Sequence, residues 1–145
     1  MRGLAGKHIL IVEDEHLVAE LGRATLEQVG AIVLGPVDNE PAAFSLISDR
    51  PPDVVALDWN LRGQHPLRLA TYLKDCAVPF VIVSGYERDA LPPEVRSAFF
   101  VQKPFAQDEL LQMLAGAIRQ GRAAGGEGLS LNGVPLPEQA PARRS

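Results

Sequence analysis

The chain has 145 residues, 46% of them hydrophobic and 22% charged, with a formal net charge of -4. That length and apolar share suffice for one core, and the negative balance argues against the basic stripe with which a nucleic-acid-binding domain meets phosphates. A single cysteine, Cys76, cannot form an internal disulfide, and no apolar run reaches the roughly 18 residues that a membrane span requires. The apolar stretch 9–12 runs straight into three acids and is no signal-peptide core, so the expectation is a soluble cytoplasmic protein without membrane or nucleic-acid contacts.

Residues 7–12 form an apolar, β-branched run that ends in Glu13-Asp14-Glu15, which predicts a buried strand with carboxylates at its carboxyl end. A helix follows, with Leu17, Leu21, Ala24 and Val29 at helical spacing and Gly30 at the C′ position. Residues 31–37 give a second strand, stopped by Gly35-Pro36. Asp38 or Asn39 can then cap a second helix that has Pro41 in its first turn and buries Ala43, Phe44, Leu46 and Ile47. Residues 54–57, opened by Arg50-Pro51-Pro52, are too short for a helix and predict a strand buried on both faces, with Asp58 at its tip. A loop 59–65 containing Gly63 leads to a third helix over 66–74, with Leu69, Tyr72 and Leu73 inward. Residues 79–84 form a fourth strand ending in Ser84. Pro92-Pro93 leaves room for only one or two helical turns before a fifth strand at 98–101, ended by Lys103-Pro104. A last helix carries Leu110, Leu111, Met113, Leu114, Ala117 and Ile118. Residues 121–145 hold five glycines and three prolines and predict a flexible tail after a single domain at 1–120.

Strands alternating with helices imply an α/β fold, a doubly wound five-stranded parallel sheet with helices on both faces. Ligands of such sheets bind at the carboxyl ends of the strands, where this sequence places Glu13, Asp14, Asp58, Ser84 and Lys103. Carboxylates gathered there repel one another, each pair by about 4 kcal/mol at 4 Å in an effective dielectric near 20, so a cation must sit among them. Oxygen-only donors favour a hard divalent ion such as Mg²⁺, with the Lys103 ammonium as a second cation. A metal, a lysine, a hydroxyl and an aspartate together suit phosphoryl transfer onto the carboxylate.

The succession Ile9-Leu10-Ile11-Val12-Glu13-Asp14-Glu15, Asp58 after an apolar strand, Val83-Ser84-Gly85 and Gln102-Lys103-Pro104-Phe105 resembles the receiver domain of two-component response regulators, over residues 7–119. The resemblance implies a flavodoxin-like sheet of strand order 2-1-3-4-5. It also implies that Asp58 accepts phosphate from a phosphohistidine, and that Glu13, Asp14, Asp58 and the backbone carbonyl of Asn60 hold Mg²⁺. Ser84 and Lys103 would bind the phosphoryl oxygens, and Ser84 with Phe100 would form the conformational switch. Asn60 and Tyr86 would modulate loss of the phosphate, and the peptide before Pro104 would be cis. Glu13 departs from the aspartate commoner in the family, and Phe100 lacks a hydroxyl.

Pro79-Phe80-Val81-Ile82-Val83-Ser84-Gly85-Tyr86 is similar in part to single-domain receivers of the FAT GUY type, which have Phe-Ala-Thr-Gly-Tyr there and a short or irregular fourth helix. That likeness implies a sensor histidine kinase of the HWE type or a histidine phosphotransfer protein as donor. A downstream protein partner would be the target, with the chain a monomer or weak dimer. The resulting expectation is a stand-alone phosphoacceptor in bacterial phosphorelay signal transduction, not an enzyme; the alternative is a pseudo-receiver that binds partners without being phosphorylated. A small-phosphoester phosphatase would want a second aspartate where Asn60 stands, and an FMN site would want a hydroxyl- and glycine-rich loop where the acids stand. His8, His16 and His65 lack metal-ligand spacing.

Overall fold

The computed structural model describes residues 3–131. Its elements are β1 (His8–Val12), α1 (His16–Gln28), β2 (Ile32–Val37), α2 (Glu40–Asp49), β3 (Val54–Asp58), α3 (Leu67–Asp75), β4 (Phe80–Ser84), β5 (Phe99–Gln102) and α4 (Gln107–Leu131). The five strands pair in parallel in the order β2-β1-β3-β4-β5, so chain order reverses beside β1 and leaves a crevice at the carboxyl ends of β1 and β3. No helix among the described residues is long and apolar enough to cross a membrane.

Alternation along the strands divides the core in two. Ile9, Ile11, Val54, Ala56, Val81 and Val83 face α1 and α4. Leu10, Val12, Val55, Leu57 and Ile82 face α2, α3 and the β4–β5 connection. β3 and β4 are buried throughout, and Asp58 and Ser84 are carried into the interior by the strands they terminate.

Three local features differ from the sequence expectation. On α1 the inward residues are Ala19, Gly22 and Leu26, while Leu17 is 80% exposed and Leu21 53% exposed. Small side chains bring α1 close to the sheet, so that a Cβ on Gly22 would stand 3.6 Å from Ile11 Cδ1. Leu17 and Leu21 therefore mark the outer face. β2 is not stopped by Gly35-Pro36 but runs through it: pairing with β1 slips between Leu10 and Val12, and Gly35 has φ +82°. An edge strand tolerates a residue without an N–H at such a bulge. α4 continues past residue 120 to Leu131, and the remainder of the C-terminal segment lies outside the described residues. Gly121 stands inside this helix where a Cβ would come within 2.5 Å of Pro79 Cγ, a packing reason for a glycine that otherwise suggests a helix end.

The β4–β5 connection is short, as the two prolines require, with 3₁₀ turns at Arg88–Ala90 and Pro93–Val95 in place of an α-helix. It is anchored by cations on carbonyl oxygens: Lys74 Nζ donates to Glu94 O at 2.7 Å, Arg96 Nη2 to Leu91 O at 2.7 Å, and Arg88 Nη1 to Arg96 O and Ala98 O at 2.7 and 2.6 Å. Elsewhere the helix ends follow the sequence. Asn39 Oδ1 caps α2 by accepting the Ala42 N–H at 2.8 Å, and Gly30, at φ +89°, closes α1. α3 has Pro66 at its cap position and no cap of its own, so Glu40 of α2 supplies one, its Oε2 accepting the Leu69 N–H at 3.1 Å. Glu40→Ala should therefore loosen two helices at once and cost about 1 kcal/mol in urea unfolding, the usual worth of a helix cap. An unchanged midpoint would show the contact to be idle.

Candidate functional site

The first acids lie before α1, not in it. Glu15 holds the N-cap position without capping, and the first turn of the helix contains no acid. Glu13 and Asp14 are thereby left at the tip of β1, against the tip of β3. One carboxylate oxygen from each of Glu13, Asp14 and Asp58 lies within 4.8 Å of the others. Glu13 and Asp58 are buried, with 6% and 3% exposure, and Asp14 is half-buried.

Lys103, carried just past the end of β5, reaches back over this cluster. Its Nζ stands 3.2 Å from Glu13 Oε2, 3.6 Å from Asp58 Oδ1 and 3.8 Å from Glu15 Oε1. Backbone donors complete the shell. Glu13 Oε2 accepts the Glu15 N–H at 3.1 Å, Asp58 Oδ1 accepts the Asn60 N–H at 3.2 Å, and Asp14 Oδ2 accepts the Arg62 N–H at 2.9 Å. Burial, then the neighbouring Glu13 carboxylate, push the Asp58 carboxyl up to about 8, against the opposing pull of Lys103. Burial also raises Asp14, but the Arg62 N–H and the Asp58 carboxyl beside it leave its net shift downward. Burial disfavours the Lys103 charge, yet Asp58 and Glu13 outweigh it and hold the ammonium above its usual value.

The remaining expected residues frame the cluster. Ser84 is buried at the tip of β4; its Oγ accepts the Tyr86 N–H at 2.9 Å and its carbonyl accepts the Lys103 N–H at 2.8 Å. Tyr86 and Asn60 are exposed at the rim. The Lys103-Pro104 peptide is cis. Phe100 is half-buried on β5 beside the Arg88 guanidinium, 5.2 Å from its ring centroid, and it packs against the core face away from α1 and α4.

The family model described as "Response regulator receiver domain" matches residues 9–115. The chain belongs to the response regulator receiver family. It is 33% identical over 124 residues to the phosphate regulon transcriptional regulatory protein PhoB of Pseudomonas aeruginosa, an alignment over 81% of this chain and 54% of that protein. The chain thus spans about half the length of the curated relatives it matches. The solved receiver domain of NtrX from Brucella abortus superposes with a TM-score of 0.67 at 29% identity, over 77% of this chain and 98% of that one. A CheY-like receiver domain from Methylobacillus flagellatus gives 0.67 at 28% identity, over 78% and 99%.

Against this receiver frame, sequence reading passed over Arg62. Its contribution to the cluster is a backbone N–H in a tight turn, closed by Leu61 and Gln64 exchanging N–H···O bonds of 2.8 and 2.9 Å. Arg62 has φ +54° there, and its guanidinium pairs with Asp38 of the β2–α2 loop. Only the adjacent Gly63 hinted at a turn. Trp59, the one tryptophan, is buried next to Asp58 and stacks on His65 with centroids 5.8 Å apart, a built-in fluorescent reporter.

The three oxygens fit a hard divalent cation: each is a carboxylate oxygen, they converge, and among the described residues Lys103 alone faces the negative charge of Glu13, Asp14, Glu15 and Asp58. Without such a cation, the folded chain holds a proton on Asp58 up to about 8 that an unfolded chain releases near 3.8. The native state then binds more protons than the unfolded one in that window, so this group's share of stability is complete below it and is lost as pH rises through it. Urea unfolding in EDTA at pH 5 and pH 8 should show wild type losing more stability than Asp58→Asn, and Mg²⁺ restoring it at pH 8. Parallel losses in the two proteins would contradict the buried charge.

Proposed function

We propose that the chain is a phosphoacceptor of a bacterial phosphorelay, taking a phosphoryl group onto Asp58 from a phosphohistidine in a Mg²⁺-dependent reaction. The supporting observation is the Lys103 ammonium set between the Glu13 and Asp58 carboxylates, 3.2 and 3.6 Å away. Receiver domains are signalling modules, and the reading makes this one a cytoplasmic protein whose product is a change of protein contact. The acidic net charge supports a protein target over DNA.

In the transfer, a carboxylate oxygen of Asp58 attacks phosphorus as the P–N bond breaks, and the imidazole nitrogen keeps the electron pair. Mg²⁺ held by Glu13, Asp14, Asp58 and the Asn60 carbonyl would neutralise charge on the phosphoryl oxygens. Lys103 would leave its carboxylate partners for one of those oxygens, and Ser84 would turn its hydroxyl from the Tyr86 N–H to another. With Ser84 drawn in, Phe100 is the ring placed to repack behind it, on packing alone. The donor is a sensor histidine kinase, of the HWE type by the partial FAT GUY likeness, or a histidine phosphotransfer protein. Leu17 and Leu21, exposed on the first turns of α1, give such a donor an apolar footing beside the site.

Phos-tag electrophoresis with a cognate kinase should show a shifted band in wild type and none in Asp58→Ala. A band that survives that substitution rules Asp58 out. Beryllofluoride with Mg²⁺ should perturb Trp59 fluorescence and the amides of Asp58 and Ser84; silence in both would instead indicate a pseudo-receiver. Tyr86, 61% exposed and two residues beyond Ser84, lies where it can screen the acyl phosphate from water. Tyr86→Ala should then shorten the phosphate's lifetime several-fold, about 1 kcal/mol in barrier. An equal or longer lifetime would remove that role.

A further inference from the structure

In each of the three clustered carboxylates, one oxygen is held by a backbone N–H: Oε2 of Glu13 by Glu15, Oδ1 of Asp58 by Asn60 and Oδ2 of Asp14 by Arg62. Lys103 adds to the hold on Glu13 and Asp58 through the same two oxygens. Asp14 lacks the close lysine contact, and the Arg62 N–H leads the hydrogen bonds that hold it, ahead of the Asp58 carboxyl and its own main-chain N–H. We infer that Arg62 is a positioning residue that sets metal selectivity: its amide ties down Oδ2 of Asp14, so that this carboxylate offers a cation one oxygen only.

The consequence follows from what the two common hard cations require. Ca²⁺ gathers about six to eight oxygens and readily takes both from one carboxylate, whereas Mg²⁺ is smaller, keeps several waters and is satisfied by single oxygens from one or two carboxylates. Three carboxylates that each give one oxygen suit Mg²⁺ and deny Ca²⁺ its bidentate partners. The inference rests on the proposed Mg²⁺-dependent reading and adds to it the reason why the site would hold that ion.

The position of the amide depends on backbone shape. Arg62 lies at φ +54°, in the left-handed region that arginine enters at modest cost and β-branched residues avoid. Leu61 and Gln64 close the turn around it, and the guanidinium fastens it to Asp38. One residue therefore joins the loops after β1, β2 and β3.

The test is isothermal titration of the metal-free chain with Mg²⁺ and with Ca²⁺, with thermal unfolding measured alongside. Wild type should prefer Mg²⁺. Arg62→Val cannot hold the turn, which frees Oδ2, and the Mg²⁺-over-Ca²⁺ ratio should fall about tenfold, the worth of one charge-assisted hydrogen bond. Arg62→Ala, a milder change that keeps the fold safe, should lower the ratio in the same direction. Arg62→Gly keeps the N–H and favours the left-handed turn, so it should restore the wild-type ratio although the bond to Asp38 is gone. An unchanged ratio in both Val and Ala variants, or a Gly variant as impaired as Val, overturns the role of the amide. A wild type that binds Mg²⁺ with Arg62-independent selectivity sinks this inference and leaves the phosphoacceptor standing. A wild type that binds neither ion sinks both.

Discussion

A carboxylate with 3% exposure is costly to ionise, and Asp58 is held beside two other acids with, among the described residues, the Lys103 ammonium as the cation that offsets them. The ammonium does not neutralise this group; it leaves an excess of negative charge that a divalent cation, and then an anion bound to that cation, can resolve. Much else in the molecule serves that arrangement. Removing Lys103 would leave Glu13 and Asp58 buried without a counter-charge, so the lysine supports the resting fold as well as any reaction at the site.

The sheet makes such crowding tolerable because its strands are fixed from both sides. β1, β3 and β4 are sandwiched between the two helical layers, and their registers set the tips of Val12, Asp58 and Ser84 side by side. The charged groups then sit at the boundary of the sheet, where the crossover loops can turn N–H groups toward them. Glu15, Asn60 and Arg62 contribute main-chain donors, so much of the electrostatic environment depends on loop shape and not on side-chain identity. Glu40 does comparable work for the scaffold, joining α2 to the Leu69 amide in the first turn of α3.

The parts legible in the sequence are those that depend on composition along a strand. Continuous apolar runs ending in Glu13-Asp14, Asp58, Ser84 and Lys103 give both the topology and the polar groups that meet at the rim, because buried parallel strands leave their polar residues nowhere else. What escaped depends on contacts distant in sequence. The inner face of α1 sets Ala19 and Gly22 beside Leu26, and the two small residues, which let the helix approach the sheet, are invisible to a count of leucines. β2 survives Gly35-Pro36 because its edge position and slipped register absorb the proline. The glycine at 121 serves a neighbouring proline rather than a helix end. The Arg62 contact is made by an atom that every residue except proline possesses, so no residue type announces it.

The irregular connection between β4 and β5 has a thermodynamic consequence. An α-helix at this place would carry a continuous ladder of main-chain bonds; here two short 3₁₀ turns are joined by three long cationic side chains on carbonyl oxygens, from Lys74, Arg88 and Arg96, while Leu91 and Val95 seat the segment in the core. The first turn, Arg88–Ala90, buries no side chain, so opening it exposes less apolar surface than opening the sheet behind it. Because the Arg88 guanidinium also faces the Phe100 ring, a reorientation of that ring and a loosening of the segment draw on the same contacts. The stretch before Leu91 is therefore the part of this edge with least to lose on shifting, while Leu91 and Val95 tie the remainder to the core.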